Sequence, residues 1–248
     1  MKMNLKPSLS FQLWDMGKSC LGFIVTVALL VAFVPLITLM INGEMVGGSI
    51  SGFGAIAAIF MFIIGIVAPR SYFRLDSQMG VSRATSFTAL LVCVVLVALG
   101  LAVLGELLTV AMQALLRRLP EYTFFDLYQM IYREGAAMRF SDHLLSACLN
   151  ASMCVCAYIG GMFFTLLFWR LNKLWSIVAA ILLVIVMNAG VSVVAVPGLK
   201  WLGAAMTAFA DAATKSPMPL IILFLVLSAV FAVIEWLLLR RAYIRASV

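Results

Sequence analysis

The stretch FTALLVCVVLVALGLAVLGELLTVAMQAL, residues 87–115, contains a single charged residue, Glu106. A bilayer core about 30 Å thick needs roughly 20 consecutive apolar residues in a helix. This stretch is therefore long enough to cross a membrane and to tilt or to project into water. The whole chain of 248 residues has the same character, with 65% hydrophobic and 11% charged residues and a mean hydropathy of +1.15. These values exclude a soluble globular domain, which carries about 25% charged residues.

Apolar stretches of this kind predict six membrane spans. They lie at residues 20–41, 53–68, 87–115, 144–169, 174–196 and 220–239. If both ends of the chain are cytoplasmic, the cytoplasmic segments hold eleven of the 17 basic residues. Because cytoplasmic loops are enriched in Lys and Arg, we expect both termini on that side. The net charge of +7 is thus explained by orientation, and no nucleic-acid partner is expected.

Motifs for chemistry are incomplete in this chain. Gly17-Lys18-Ser19 ends like a phosphate-binding loop, but Gln12 stands where that motif needs its first glycine. The single histidine, His143, has no second histidine or cysteine at metal-ligand spacing. We therefore expect no catalytic residue, no metal site and no cofactor in the chain itself.

A charged segment interrupts the apolar pattern between the second and third spans. Residues 70–86 read RSYFRLDSQMGVSRATS. The apolar side chains that would share one helical face are Tyr72, Leu75 and Met79. Gly80 can adopt a positive φ and end this helix, and Ser82 can cap the next one. We predict a short cytoplasmic helix over residues 71–82, which either docks into a soluble partner or rests on lipid headgroups.

Three segments of the chain resemble a known family. Residues 73–87, FRLDSQMGVSRATSF, are similar to the loop after the second span in six-helix permease subunits of bacterial ABC transporters, the ABC-2-type export family. The matching positions are Gly80, Val81, Ser82, Arg83 and Phe87. Residues 237–248, LLLRRAYIRASV, resemble the basic tail after the family's last span, and residues 8–19, SLSFQLWDMGKS, resemble its interfacial connecting helix. The chain departs from the family in its long outer segment and in its fifth-to-sixth connection, which is not clearly a re-entrant hairpin.

The resemblance implies a fold, a set of partners and a function. The fold is all-α, with six transmembrane helices, cytoplasmic termini, an interfacial helix over residues 5–18, a coupling helix over 71–82 and an extracellular segment over 116–143. The partners are two copies of a separate ABC ATP-binding subunit, a second permease as a homodimer or heterodimer, and membrane lipid. ATP and Mg would be held by the ATP-binding subunits. The assembly would export a peptide, drug or lipid-like substrate across a bacterial cytoplasmic membrane.

The resemblance also assigns the coupling helix to contact with the ATP-binding subunit. The residues expected at this contact are Tyr72, Phe73, Arg74, Leu75, Asp76, Met79, Gly80, Ser82 and Arg83. Charged residues in place of Phe73 and Leu75 are expected to uncouple ATP hydrolysis from transport. The alternative is a substrate-capturing membrane subunit of an uptake system of the energy-coupling-factor type, which would need a scaffold protein to reach an ATPase.

Polar residues inside the spans are costly in lipid and face a cavity or another helix. The four that we single out are Glu106, Gln113, Asn150 and Asn188. They would line a substrate pathway or join helices by hydrogen bonds, including helices of a second permease. In the last span, Glu235 is expected to form an ion pair with Arg240 or Arg241.

The outer segment contains signals for an amphipathic helix. Pro120 suits the start of a helix, and Thr123 with Asp126 resembles a capping box. Aromatic and aliphatic residues then recur at helical spacing over residues 124–131. We expect this helix to anchor at the membrane interface.

Overall fold

The computed structural model describes residues 5–42, 48–116, 122–133, 138–170 and 200–240. Seven helices and two short strands cover most of this described part. In chain order they are α1 Lys6–Asn42, β1 Gly48–Ser51, α2 Phe53–Gln78, α3 Arg83–Leu116, β2 Tyr122–Phe125, α4 Leu127–Tyr132, α5 Phe140–Arg170, α6 Lys200–Lys215 and α7 Met218–Arg240.

Five of the described helices are long and apolar enough to cross a membrane, judged by length and composition. These spans are Lys6–Phe33, Phe53–Gln78, Arg83–Leu115, Phe140–Trp169 and Met218–Arg240. They are consistent with an all-α, multi-pass membrane protein. The fifth predicted span, residues 174–196, lies outside the described residues. Many large apolar side chains of α1 and α7 are exposed, as expected for surfaces that contact lipid.

Two helices are longer than the spans predicted within them, which corrects two expectations. The interfacial helix predicted over residues 5–18 is not a separate element, because α1 runs unbroken from Lys6 for 37 residues. At 1.5 Å per residue α1 is about 55 Å long, so part of it projects beyond a bilayer core. The coupling helix predicted over residues 71–82 is not separate either, because α2 continues to Gln78.

A buried stripe with a spacing of four residues explains why both helices continue. In α1 the stripe consists of Ser8, Gln12, Met16 and Cys20, and in α2 it consists of Phe53, Ala57, Met61, Gly65, Pro69 and Phe73. Residues four apart lie on the same face of an α-helix. Each stripe stays covered only if its helix keeps its direction across the predicted break. Burial therefore outweighs the loss of one backbone N–H at Pro69.

Helices α1 and α3 run in one direction and α2, α5 and α7 run in the opposite direction, so the bundle has two ends. The turn end carries the starts of α1 and α3, the ends of α2 and α7, and the tight turn at residues 79–82. The ladder end carries β1 and β2, which pair in parallel with Gly48 opposite Tyr122 and Ser51 opposite Phe125. The distribution of basic residues predicts that the turn end is cytoplasmic.

The turn between α2 and α3 has the geometry expected from its sequence. Gly80 has a φ of 72°, and the Val81 N–H donates to the Asp76 carbonyl at 2.9 Å. This closing bond is typical of a helix that ends in a left-handed glycine. The Ser82 hydroxyl accepts from the Thr85 N–H at 3.2 Å and caps α3. The roles predicted for Gly80 and Ser82 are thus confirmed.

Helices α2 and α5 cross with their backbones in contact. A Cβ atom at Gly65 would lie 2.2 Å from the Tyr158 carbonyl oxygen, and one at Gly161 would lie 2.3 Å from the Phe62 carbonyl oxygen. Next to this crossing, the Thr165 hydroxyl donates to the Ile66 carbonyl at 2.8 Å. Such close approach at small residues is common where membrane helices associate.

Candidate functional site

The turn end is held by one buried carboxylate. Asp76 is 4% exposed and lies near the end of α2. Its Oδ2 atom accepts from the Ser8 hydroxyl at 2.8 Å and from Gln12 Nε2 at 3.3 Å, both on α1. The hydroxyl of Ser86 on α3 donates to the same oxygen. One side chain thus joins three helices directly behind the α2–α3 turn.

Aromatic residues of α2 reinforce this attachment to α1. The Tyr72 hydroxyl donates to Asp15 Oδ2 at 2.7 Å. The ring of Tyr72 also packs edge-on against Phe11, with 6.1 Å between ring centroids. Phe73 belongs to the buried core. The last turns of α2 and the first turns of α1 therefore pack as one unit.

The predicted docking residues divide into buried and exposed sets. Tyr72, Phe73 and Asp76 are buried and Leu75 is half-buried, because the end of α2 packs against α1 and α3. Within residues 74–83, the exposed residues are Arg74, Ser77, Gln78, Met79, Gly80, Ser82 and Arg83. Tyr72, Phe73 and Asp76 are consequently corrected from surface contacts to supporting residues. A charged residue at Phe73 would test folding rather than docking.

A second polar cluster lies at the ladder end, around Ser146 of α5. The hydroxyl oxygen of Ser146 is in hydrogen-bonding contact with Glu106 Oε1 of α3 and lies 2.5 Å from Oδ2 of Asp126, the residue before α4. Asn150 Nδ2 lies 3.4 Å from the same hydroxyl oxygen. On its other side, Glu106 Oε2 is 2.9 Å from His143 Nδ1. We call these five residues the Ser146 cluster.

The segment formed by β2 and α4 is fastened to α3 beside this cluster. Gln113 Nε2 donates to the Phe124 carbonyl at 3.1 Å and to Gln129 Oε1 at 2.8 Å. Asp126 caps α4 by accepting from the Tyr128 N–H at 3.2 Å. The outer helix therefore begins at Leu127.

This start corrects the capping box predicted for the outer segment. Thr123 lies in β2, since pairing with β1 holds residues 122–125 in extended conformation. Pro120 lies outside the described residues. Asp126, the second member of the predicted box, is the cap itself.

Three of the four predicted polar residues come together at the ladder end. Glu106, Gln113 and Asn150 form hydrogen bonds that join α3, α5 and the β2–α4 segment within one chain. Asn188 lies outside the described residues. The partners that the sequence reading missed are Asp126, Gln129, His143 and Ser146. For His143 and Ser146, the sequence signal was the series of polar residues at positions 143, 146 and 150, which lie on one face of α5.

The outer rim of the ladder end contains one ion pair and one bond to α6. Arg133 donates to Asp142 Oδ1 at 2.7 Å, and this hydrogen bond raises the pKa of the Arg133 guanidinium. The Tyr132 hydroxyl donates to the Ala213 carbonyl at 2.7 Å. Burial raises the pKa of the Tyr132 hydroxyl, which therefore stays protonated and able to donate. Tyr132 thus links α4 to the end of α6.

Replacing Tyr132 with Phe should loosen α6. The change removes the bond to Ala213 while keeping the ring, and such a bond contributes about 1 kcal/mol. We expect faster hydrogen–deuterium exchange over residues 207–216. Tyr128→Phe, which removes a hydroxyl from the same aromatic pair, is the matched control. Unchanged exchange in Tyr132→Phe would show that other contacts hold α6.

Glu235 does not form the predicted ion pair with Arg240. The carboxyl group of Glu235 is fully buried, and neither of its oxygens has a hydrogen-bond partner among the described residues. Residues five apart on a helix lie on different faces, so Arg240 points to the surface while Glu235 points inward. Arg241 lies outside the described residues.

Within the described residues, no group of three or more His, Cys, Asp or Glu side chains is arranged to hold a metal ion. The five cysteines are free thiols. No family model, no curated protein and no solved structure matches this chain.

Proposed function

We propose that this chain is the transmembrane subunit of an ATP-driven exporter. It would pair with a second permease and with two copies of a separate ATP-binding subunit that supplies ATP and Mg. The observation that carries the proposal is the Asp76 network, which fastens an exposed polar turn to three long helices. Such a turn can transmit the movement of a soluble partner to the membrane helices.

The docking surface would be the exposed part of the turn end. Met79 is 68% exposed beside the tight turn. Arg74, five residues earlier in the chain, is also exposed. An apolar side chain flanked by a cation fits a protein groove with an acidic rim. Because Asp76 joins the helix before the turn to α1 and α3, contact at the turn would displace all three helices together.

The movement would reach the ladder end through α5. The backbones of α2 and α5 are in contact at Gly65 and Gly161, so the two helices are closely coupled. Any displacement of α2 would therefore be passed to α5, whose first turns contain His143 and Ser146. The Ser146 cluster lies at the end of this route, where a substrate would leave the membrane.

The surfaces of α1 and α7 support the remaining partners. Both helices expose large apolar side chains along their length. Lipid acyl chains and a second permease can cover such surfaces. A peptide, a drug or a lipid-like molecule remains the proposed substrate, and the bacterial cytoplasmic membrane the proposed location.

A double substitution at the exposed turn tests the proposal. Arg74→Glu with Met79→Asp should reduce the amount of ATP-binding subunit that co-purifies with the chain by tenfold or more. Burying a Met side chain contributes about 1.5–3 kcal/mol to binding, and about 1.4 kcal/mol corresponds to a tenfold change in affinity. Met130→Asp is the matched control, because Met130 is 59% exposed at the ladder end. Equal recovery of the ATPase with both variants would argue against docking at the turn.

A further inference from the structure

The geometry points to a proton-binding site in the Ser146 cluster: we propose that Glu106 and Asp126 share one proton across the Ser146 hydroxyl. Both carboxyl groups lie within hydrogen-bonding distance of the same oxygen atom. They come from different elements, α3 and the cap of α4, so that only the folded chain brings them together. The inference does not rest on the proposed transport function.

Counting protons and lone pairs at Ser146 shows why a proton is needed. The hydroxyl oxygen has one hydrogen to donate and two lone pairs that can accept. Asn150 Nδ2 donates to one lone pair at 3.4 Å. One carboxyl oxygen can take the hydroxyl hydrogen, and the second can form a hydrogen bond only by donating a hydrogen of its own to the remaining lone pair. One of the two carboxyl groups must therefore be protonated.

The surroundings place this proton on Glu106. Asp126 Oδ2 accepts from the Tyr128 N–H at 3.2 Å, so this oxygen already serves as an acceptor. Glu106 is enclosed between α3 and α5, where a charge is costly. The arrangement that satisfies every contact has Glu106 donating to Ser146 and Ser146 donating to Asp126. Glu106 Oε2 then accepts from His143 Nδ1.

The neighbouring side chains give the site a route to water. His143 is 27% exposed at its side chain, and it connects Glu106 to the solvent of the ladder end. At the same end of the bundle, Asp142 on α5 pairs with Arg133 after α4 at 2.7 Å, and Arg139 precedes α5 with its backbone N–H bonded to Asp142. Asn150 Oδ1 is buried without a hydrogen-bond partner among the described residues, so the site has an unused acceptor.

Loss of the proton should weaken the attachment of the β2–α4 segment. When Glu106 releases its proton to water, the hydrogen bond from Glu106 to Ser146 is lost. Two negative carboxylates then face one hydroxyl, and like charges at this distance repel. The bonds of Gln113 to Phe124 and Gln129 remain as the attachment to α3. The Ser146 cluster thus attaches the β2–α4 segment more strongly when Glu106 is protonated.

Infrared difference spectroscopy on the purified full-length protein in lipid nanodiscs tests the proposal. We expect a carboxylic acid carbonyl band that disappears as the pH is raised. Glutamate labelled with carbon-13 at the side-chain carboxyl should shift this band, and labelled aspartate should not. Among the residues that the structure describes, Glu235 is the other buried glutamate, so the labelling is done in a Glu235→Gln background.

Three substitutions complete the test. Glu106→Gln should abolish the band, and Ser146→Ala should change its frequency because the acceptor of the hydrogen bond is removed. Asp211→Asn, at an exposed carboxyl group on α6, should leave the band unchanged. Absence of a Glu106 band in the labelled protein, whose only change is Glu235→Gln, would overturn the proposal. So would a band that responds to sodium at constant pH, which would assign the site to a metal cation instead.

Discussion

Replacing Gly161 with Ala should sharply lower the stability of the folded protein, whereas replacing the neighbouring Gly160 with Ala should not. The added methyl group at Gly161 would lie 2.3 Å from the Phe62 carbonyl oxygen. This oxygen belongs to the backbone, so no change of side-chain rotamer can relieve the clash. Helices α2 and α5 would have to separate. We expect a loss on the order of 3 kcal/mol, the upper end of the usual range for overpacking.

Gly160 is a close control for this experiment. A Cβ atom there meets no atom of another described helix within 4 Å. Alanine is also favoured over glycine inside a helix by up to about 1 kcal/mol. The measurement is the midpoint of thermal unfolding in detergent, followed by intrinsic fluorescence. Equal midpoints for the two variants would contradict the backbone contact between α2 and α5.

Replacing Asp76 with Ala should detach the start of α1 from the α2–α3 turn. Three side chains, Ser8, Gln12 and Ser86, lose their shared acceptor. Hydrogen bonds to a charged group contribute about 1.5–3 kcal/mol each, and buried donors left without an acceptor add a further cost. We expect a loss of at least about 3 kcal/mol, with a smaller loss for Asp76→Asn, which retains one acceptor oxygen.

The control and the readouts separate the role of Asp76 from that of the exposed turn. Ser77→Ala changes the next residue, which is exposed and whose hydroxyl donates to the Arg74 carbonyl. Hydrogen–deuterium exchange over residues 6–20 should rise in Asp76→Ala and stay constant in Ser77→Ala. In cells, Asp76→Asn should retain the ATPase yet lose export. Unchanged exchange in Asp76→Ala would show that packing alone holds α1.

The sequence predicted those features that depend on local composition. Long apolar stretches predicted the described spans, because a helix crosses the bilayer core when about 20 consecutive residues are predominantly apolar. Gly80 and Ser82 were identified because a left-handed glycine and a capping hydroxyl are properties of single residues. Neither feature requires knowledge of which helices are neighbours.

Features that depend on neighbouring helices were missed. The breaks expected near residues 18 and 70 are absent, because the buried stripe of each helix continues across them. The role of Asp76 could not be foreseen, since its partner Ser8 is 68 positions away in the chain. Likewise, Glu106 was recognised as costly in lipid, but its contact with Ser146 follows from the packing of α3 on α5.

The central claim is that the α2–α3 turn contacts an ATP-hydrolysing partner, and site-specific photo-crosslinking in the native membrane tests it most directly. A photoreactive amino acid is placed at Met79, at the turn end, or at Met130, at the ladder end. The account predicts a covalent adduct from position 79 with a polypeptide that binds ATP, and no such adduct from position 130. An ATP-binding adduct formed at position 130, or only lipid adducts at position 79, would contradict it.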